Sequence, residues 1–182
     1  MLNSYYYTDG LESQRMRSRF LTEEDISVWT RFYAFPEATL YIPNYATDDP
    51  QKKSEFIIQK QLNRYKERTY GLQAMYEKTS GELLGLCGLL TQEVEGLKEL
   101  EIGYHFLFPH WGKGYATEAA KLFKQFATDH SLADSVTSII HIHNTRSQAV
   151  AMRNGMTADK ELHWSGFDVV IYRCSLPLNA AQ

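Results

Sequence analysis

Cysteine is scarce in this chain of 182 residues: there are two, Cys87 and Cys174, both inside apolar segments that read as strands. A disulfide-stapled fold wants more cysteines in a smaller chain, so a reduced, cytoplasmic setting is expected. Long apolar runs are also missing. Nothing approaches the roughly 20 residues that span a bilayer, and the opening MLNSYYYTDG has neither the basic nor the apolar region of a secretion signal. No membrane partner is expected. Charge of one sign is absent as well: the net charge is -3, with lysine and arginine scattered along the chain. A nucleic-acid partner, which needs a basic stripe, is therefore excluded. What the chain does have is 43% hydrophobic residues and 13% aromatic ones. That supports a sizeable core and one domain, expected over residues 1–182.

The pattern alternates between two periods. Residues 15–20 repeat every second position, and Thr22 followed by Asp25 makes a capping-box-like start to a helix near residues 23–35. Residues 36–48 read as a loop. Asp49 before Pro50 offers an N-cap with proline at the first helical position, opening a helix to about Arg68. Three extended runs follow, 70–77, 83–92 and 98–108, separated by turn residues as in an antiparallel meander. A glycine turn then opens a helix at residues 114–130, followed by a strand at 135–143, a helix at 145–154 and a hairpin turning at Ser165-Gly166. The order is βααβββαβαββ, a mixed α/β or α+β class.

The chemistry concentrates at that glycine turn, Trp111-Gly112-Lys113-Gly114-Tyr115-Ala116-Thr117. Glycines let backbone approach a ligand, the uncapped N–H groups of a helix start point at it, and the helix dipole and Lys113 add positive charge. Such a turn suits a phosphate, although two glycines also make a tight turn with nothing bound. A P-loop is excluded because GK is not followed by the required Ser or Thr in the right frame, and a dinucleotide fingerprint needs Gly where Thr117 stands. His141 and His143 share a strand face, but no third ligand is spaced to join them, so no metal is expected.

Three ordered motifs resemble the GNAT superfamily of acetyltransferases, in its branch of ribosomal-protein N-terminal acetyltransferases (the RimJ/RimL type). Residues 111–116 are similar to the family's acetyl-CoA motif, Gln or Arg, two residues, Gly, one residue, then Gly or Ala, with Trp111 departing at the first position. Glu101-Ile102-Gly103-Tyr104 resembles its EIGY strand, and residues 144–155 its NxxSxxVxxxxG signature. The resemblance implies a mostly antiparallel sheet of about seven strands, splayed between the fourth and fifth by a bulge in the fourth, with four helices. It implies acetyl-CoA as co-substrate, its pyrophosphate on Trp111, Gly112, Lys113, Gly114, Tyr115, Ala116 and Thr117. The pantetheine arm would lie along Phe106, Leu107 and Phe108, an N–H near Leu107 or Phe108 would polarise the thioester carbonyl, and Asn144 would contact the cofactor.

Acetyl transfer needs a neutral amine, so a base or water relay must take a proton from the protonated acceptor. Glu101 matches the base of some family members, and strand alternation sets it on one face with Gly103 and His105, the alternative base. Many members use a tyrosine to assist the leaving sulfur; that position is Ala151 here, and Ser147 matches the serine assigned that job in the RimJ/RimL branch, with helix capping as its plainer role. The acceptor, a protein N-terminus or a small-molecule amine, would be chosen by segments near residues 35–48 and 161–168. A non-catalytic acetyl-CoA-binding module is the alternative, and a homodimer the default assembly.

Overall fold

The computed structural model describes residues 2, 5–42 and 46–177. Seven strands, β1 (Met16–Arg19), β2 (Tyr70–Glu77), β3 (Leu83–Val94), β4 (Leu97–Phe106), β5 (Ser135–His141), β6 (Thr157–Trp164) and β7 (Phe167–Ser175), form one sheet. Its order is β1-β2-β3-β4-β5-β7-β6. Every neighbouring pair is antiparallel except β4 and β5, which run parallel.

Helix α1 (Asp25–Trp29) continues into a 3-10 turn (Thr30–Ala34), and α3 (Pro50–Glu67), α4 (Tyr115–Asp129) and α5 (Thr145–Arg153) complete the four expected helices. The start of α1 keeps half of a capping box: Asp25 Oδ2 accepts from the Thr22 N–H at 2.8 Å. At α3 the Asp49 side chain accepts from the Gln51 N–H, with Pro50 at the first helical position, and Arg68 closes the helix in the left-handed conformation. The segment expected to be only loop contains a four-residue helix, α2 (Pro36–Thr39). Four residues are too few to show periodicity, and proline at the first turn is their one signal. Residues 43–45 of the same segment lie outside the described residues.

Each face of the sheet is covered. On one, α4 closes tightly because Ala119, Ala120 and Ala127 are fully buried and bring its axis near the sheet, letting Phe123 fill the core beside Ile102, Phe106 and Leu89. On the other, Trp29 and Phe32 stack at 4.7 Å beneath Ile58 of α3 and Leu72, Leu86 and Leu90 of the sheet. The alternation of β4 thus sends Ile102 and Phe106 toward α4, and Glu101, Gly103 and His105 toward α1 and α3.

The expected bulge in β4 is corrected here. Its register with β3 runs unbroken from Gly85 opposite Phe106 to Val94 opposite Leu97, and the shifts lie elsewhere, in β2 at Met75/Tyr76 and in β6 at Ala158/Lys160. Gly103 serves close approach instead: a β-carbon there would come within 2.9 Å of Leu90 Cδ1 and 3.2 Å of Leu72 Cδ2.

Candidate active site

β4 and β5 meet at a single rung, Glu101 with Thr137. Two hydroxyls tie the strands at that level: Thr137 Oγ1 donates to the Leu100 carbonyl at 3.4 Å, and Ser138 Oγ to the Ile102 carbonyl at 2.8 Å. Beyond Ile102 the strands part, among the described residues, into a fork. The opening belongs to a cleft of about 2440 Å³ that reaches from α3 across the fork to the first turns of α4 and α5.

At the mouth of the fork, Gly112 and Gly114 hold φ of 74° and 83°, the left-handed region that side chains avoid. Gly114 is the N-cap of α4 and carries no side-chain cap. The Glu118 N–H is the first to return to the helix, reaching the Gly114 carbonyl at 3.0 Å, so those of Tyr115, Ala116 and Thr117 remain for an anion. Lys113 is exposed beside them. This is a fit for a pyrophosphate: an uncapped helix start, a backbone shape that only glycine holds easily, and a free positive charge.

Arg15, which sequence reasoning passed over, holds the turn from behind. Its Nη1 donates to the Lys113 carbonyl at 3.0 Å, its Nε to Glu118 Oε2 at 2.7 Å, and its guanidinium lies 4.3 Å from the Tyr115 ring. It stands about a hundred positions away in sequence, and no motif links it to the turn. Tyr115 in turn donates to Glu77 Oε1 at 2.6 Å.

Trp111, the departure from Gln or Arg, supports the loop. Its indole Nε1 donates to the Phe106 carbonyl at 2.7 Å, and Arg146 of α5 lies over its ring at 5.1 Å. Phe106 and Phe108 line the cleft, and Phe108 stacks on Phe35 at 4.9 Å. Leu107 does not join them. Its side chain is 2% exposed in the core beneath α1 and α3, and its N–H is spent on the Leu84 carbonyl at 2.9 Å. β4 ends at Phe106 rather than Phe108, and a 3-10 turn at Phe108–His110 swings the chain inward. The N–H of Leu107 is thereby ruled out as the polarising donor.

Glu101 sits at the root of the fork, 8% exposed. Gln92 Nε2 donates to its Oε2 at 2.7 Å, and Lys60 and Arg64 of α3 lie near enough to act on its charge. Burial raises its carboxyl above the ordinary carboxylate range, against the opposing pull of Gln92, the Ile139 N–H, Arg64 and Lys60. Arg64 is engaged with the Thr91 carbonyl and Gln92 Oε1. His105, two residues on, faces the same cleft edge-on to Phe32, and burial lowers it to about 4, leaving it neutral near pH 7.

Across the fork, Asn144 is the N-cap of α5, its Oδ1 accepting from the Ser147 N–H at 3.1 Å. Ser147 lines the cleft and is the capped residue, not the cap. Its carbonyl accepts from the Tyr104 hydroxyl of β4 at 2.9 Å. Ala151 is 1% exposed in the core. His143 turns its N–H to His141 Nδ1 at 3.1 Å, a turn contact, and among the described residues no three His, Cys, Asp or Glu gather as metal ligands.

The comparison with protein families matches residues 15–157 to the acetyltransferase (GNAT) domain. The chain belongs to the GNAT family of acetyltransferases. It is thus an N-acetyltransferase, and acetyl-CoA is the acetyl donor of its family. The chain is 28% identical over 165 residues to YkkB, an uncharacterised protein of Bacillus subtilis, covering 89% of this chain and 93% of the relative. Among solved structures, an acetyltransferase of Agrobacterium tumefaciens superposes with a TM-score of 0.76 at 25% identity, covering 94% of this GNAT chain and 97% of its own. The microcin C7 self-immunity acetyltransferase, in complex with acetyl-CoA and AMP, shares the fold with a TM-score of 0.72 at 16% identity, covering 90% and 93%. Ribosomal-protein acetyltransferases are also among the structural neighbours, beside many other GNAT members.

Proposed function

We propose that this acetyltransferase moves the acetyl group of acetyl-CoA directly onto a primary amine, with both substrates bound, and that the described chain works as one domain in the reducing cytoplasm. The observation that carries the transfer reading is the juxtaposition along one cleft of an uncapped glycine turn at the mouth of the β4–β5 fork and a buried carboxylate, Glu101, at its root. Free thiols at Cys87 and Cys174 support the setting.

Bound acetyl-CoA supplies an activated acyl carbon and a thiolate leaving group. The N–H groups of Tyr115, Ala116 and Thr117, with Lys113, hold its phosphates; Gly112 and Gly114 keep the turn open, with Trp111 bracing it. Phe106 and Phe108 flank the arm, and the Phe108 N–H is the remaining candidate to polarise the thioester carbonyl. Asn144 orders the first turn of α5 beside it. Glu101 accepts the proton of the incoming ammonium, directly or through water, and its raised pKa brings it closer to the task. Ser147 lines the leaving-group side.

Charge along the cleft narrows the acceptor. Toward α3 it is lined by Lys52, Lys60 and Arg64 against Glu37 and Glu101. A polycation such as a polyamine or aminoglycoside would meet repulsion there, whereas a peptide N-terminus, or an amine on an anionic or aromatic body, would not. Neighbours of both sorts exist, the ribosomal-protein acetyltransferases and the enzyme crystallised with AMP. The test is acetyl-CoA consumption with a panel of spermidine, an aminoglycoside, aminoacyl nucleotides and peptides with free N-termini. Turnover on the peptides or aminoacyl nucleotides is expected. Faster turnover on a polycation would overturn the acceptor assignment, and no turnover with any amine, despite acetyl-CoA raising the melting temperature, would favour a binding module.

A further inference from the structure

Tyr104 is the one polar side chain of the Glu101–Tyr104 strand motif that the reaction above leaves unused. It lies on the opposite face of β4 from Glu101, and its hydroxyl spans the fork to the first turn of α5, donating to the Ser147 carbonyl at 2.9 Å. On the facing strand β5, Ser138 Oγ donates to the Ile102 carbonyl at 2.8 Å. Tyr104, Ser138 and Ser147, from β4, β5 and α5, all line the cleft where β4 and β5 part. Ala151 follows Ser147 by one helical turn and is buried, without lining the cleft.

We propose that Tyr104 is the hydrogen-bond donor to the leaving sulfur, reaching from β4 the place that α5 cannot serve with Ala151. This rests on the acetyl-transfer reading above. In the step, the ammonium gives one proton to Glu101, the freed amine nitrogen bonds to the acyl carbon, and the carbon–sulfur bond breaks with its electron pair going to sulfur. As the amide forms, the nitrogen releases its second proton to water; the Tyr104 O–H turns from the Ser147 carbonyl to the thiolate, which takes its final proton from water as CoA departs. The phenol keeps its own proton throughout. Burial raises its pKa well above the ordinary tyrosine value, so it is a donor at every working pH rather than an acid that empties. The Ser147 carbonyl holds the hydroxyl in place, which makes Ser147 a positioning residue.

The decisive experiment does not need the acceptor. CoA is bound to the wild type and to Tyr104→Phe, and its thiol is titrated by thiolate ultraviolet absorbance. A hydrogen bond to the charged sulfur should place the bound thiol pKa about one to two units lower in the wild type than in Tyr104→Phe. With an accepted amine, kcat of Tyr104→Phe should fall about ten- to hundredfold while KM for acetyl-CoA stays within about twofold. Equal thiol pKa values in the two proteins overturn the proposal, as does a variant that loses acetyl-CoA affinity with kcat intact, the mark of a mere strap between β4 and α5. If CoA neither binds nor stabilises the wild type, the acetyl-transfer reading fails and this proposal with it; if CoA binds both equally well with one thiol pKa, only this proposal fails.

Discussion

The two ends of the cleft are built in different ways. The cofactor end is made of backbone from contiguous residues: a turn with two left-handed glycines, Gly112 and Gly114, and the free N–H groups that follow it. The end proposed for the acceptor is made of side chains brought from separate elements: Glu101 of β4, Gln92 of β3, and Lys60 and Arg64 of α3. A contiguous backbone site tolerates variation in its flanking side chains, which is why tryptophan can stand at position 111. A site of dispersed side chains can be rewired by any one of them.

Breaking the cofactor end should have the largest effect. Gly114→Asp would cap the N–H groups meant for phosphate and set a negative charge beside them, so acetyl-CoA affinity should fall about a hundredfold or more, read by calorimetry. The melting temperature should fall as well, since a side chain at φ 83° is strained, so affinity is read on protein shown to be folded. Next comes the acceptor end. Glu101→Gln should lower kcat about a hundredfold with acetyl-CoA binding intact. The sign of the pH effect is set by the base role: Glu101 must be deprotonated to act, and burial raises its pKa, so activity should appear as pH rises through a value above the ordinary glutamate range. An acid limb in the usual carboxylate range, or one that survives in Glu101→Gln, would remove it from that role.

Smaller effects sharpen the contrast between backbone and support. Arg15→Gln frees the Lys113 carbonyl and removes the ion pair to Glu118, which keeps the Ser13 hydroxyl and the N–H of residue 15, and KM for acetyl-CoA should rise about fivefold to tenfold with kcat nearly unchanged. A kcat loss as large as that of Glu101→Gln would show that the turn does more than hold phosphate. Trp111→Phe keeps a ring under Arg146 and loses the indole bond to the Phe106 carbonyl, which should cost about 1 kcal/mol of stability in denaturant unfolding and raise KM by twofold or so.

Much of this was legible in the chain. The N-cap at Asp49, the meander between residues 70 and 108, and the glycine turn all depend on neighbours in sequence, and so the strand and helix order could be read nearly element for element. The misses have physical causes. Helix α2, at four residues, is barely one helical turn, too short for a repeat to show. Leu107 looks like a continuation of β4, but the turn at Phe108–His110 carries its side chain into the core and its N–H to β3. The splay comes without a bulge between β3 and β4, because it arises where β5 stops pairing with β4 and hydroxyls of Thr137 and Ser138 take over.

By itself the sequence determined the family, the element order and the glycine turn, because each is written in local spacing: a helix start, a glycine that must be left-handed, a motif of adjacent residues. Tertiary structure alone decided which side chains converge. Arg15 meets Gly114, Gln92 and Arg64 surround Glu101, and Tyr104 meets Ser147 only once the sheet has aligned β4 between β3 and β5 and docked α3 and α5 on opposite faces. Those meetings depend on long-range packing, which no periodicity in the chain encodes.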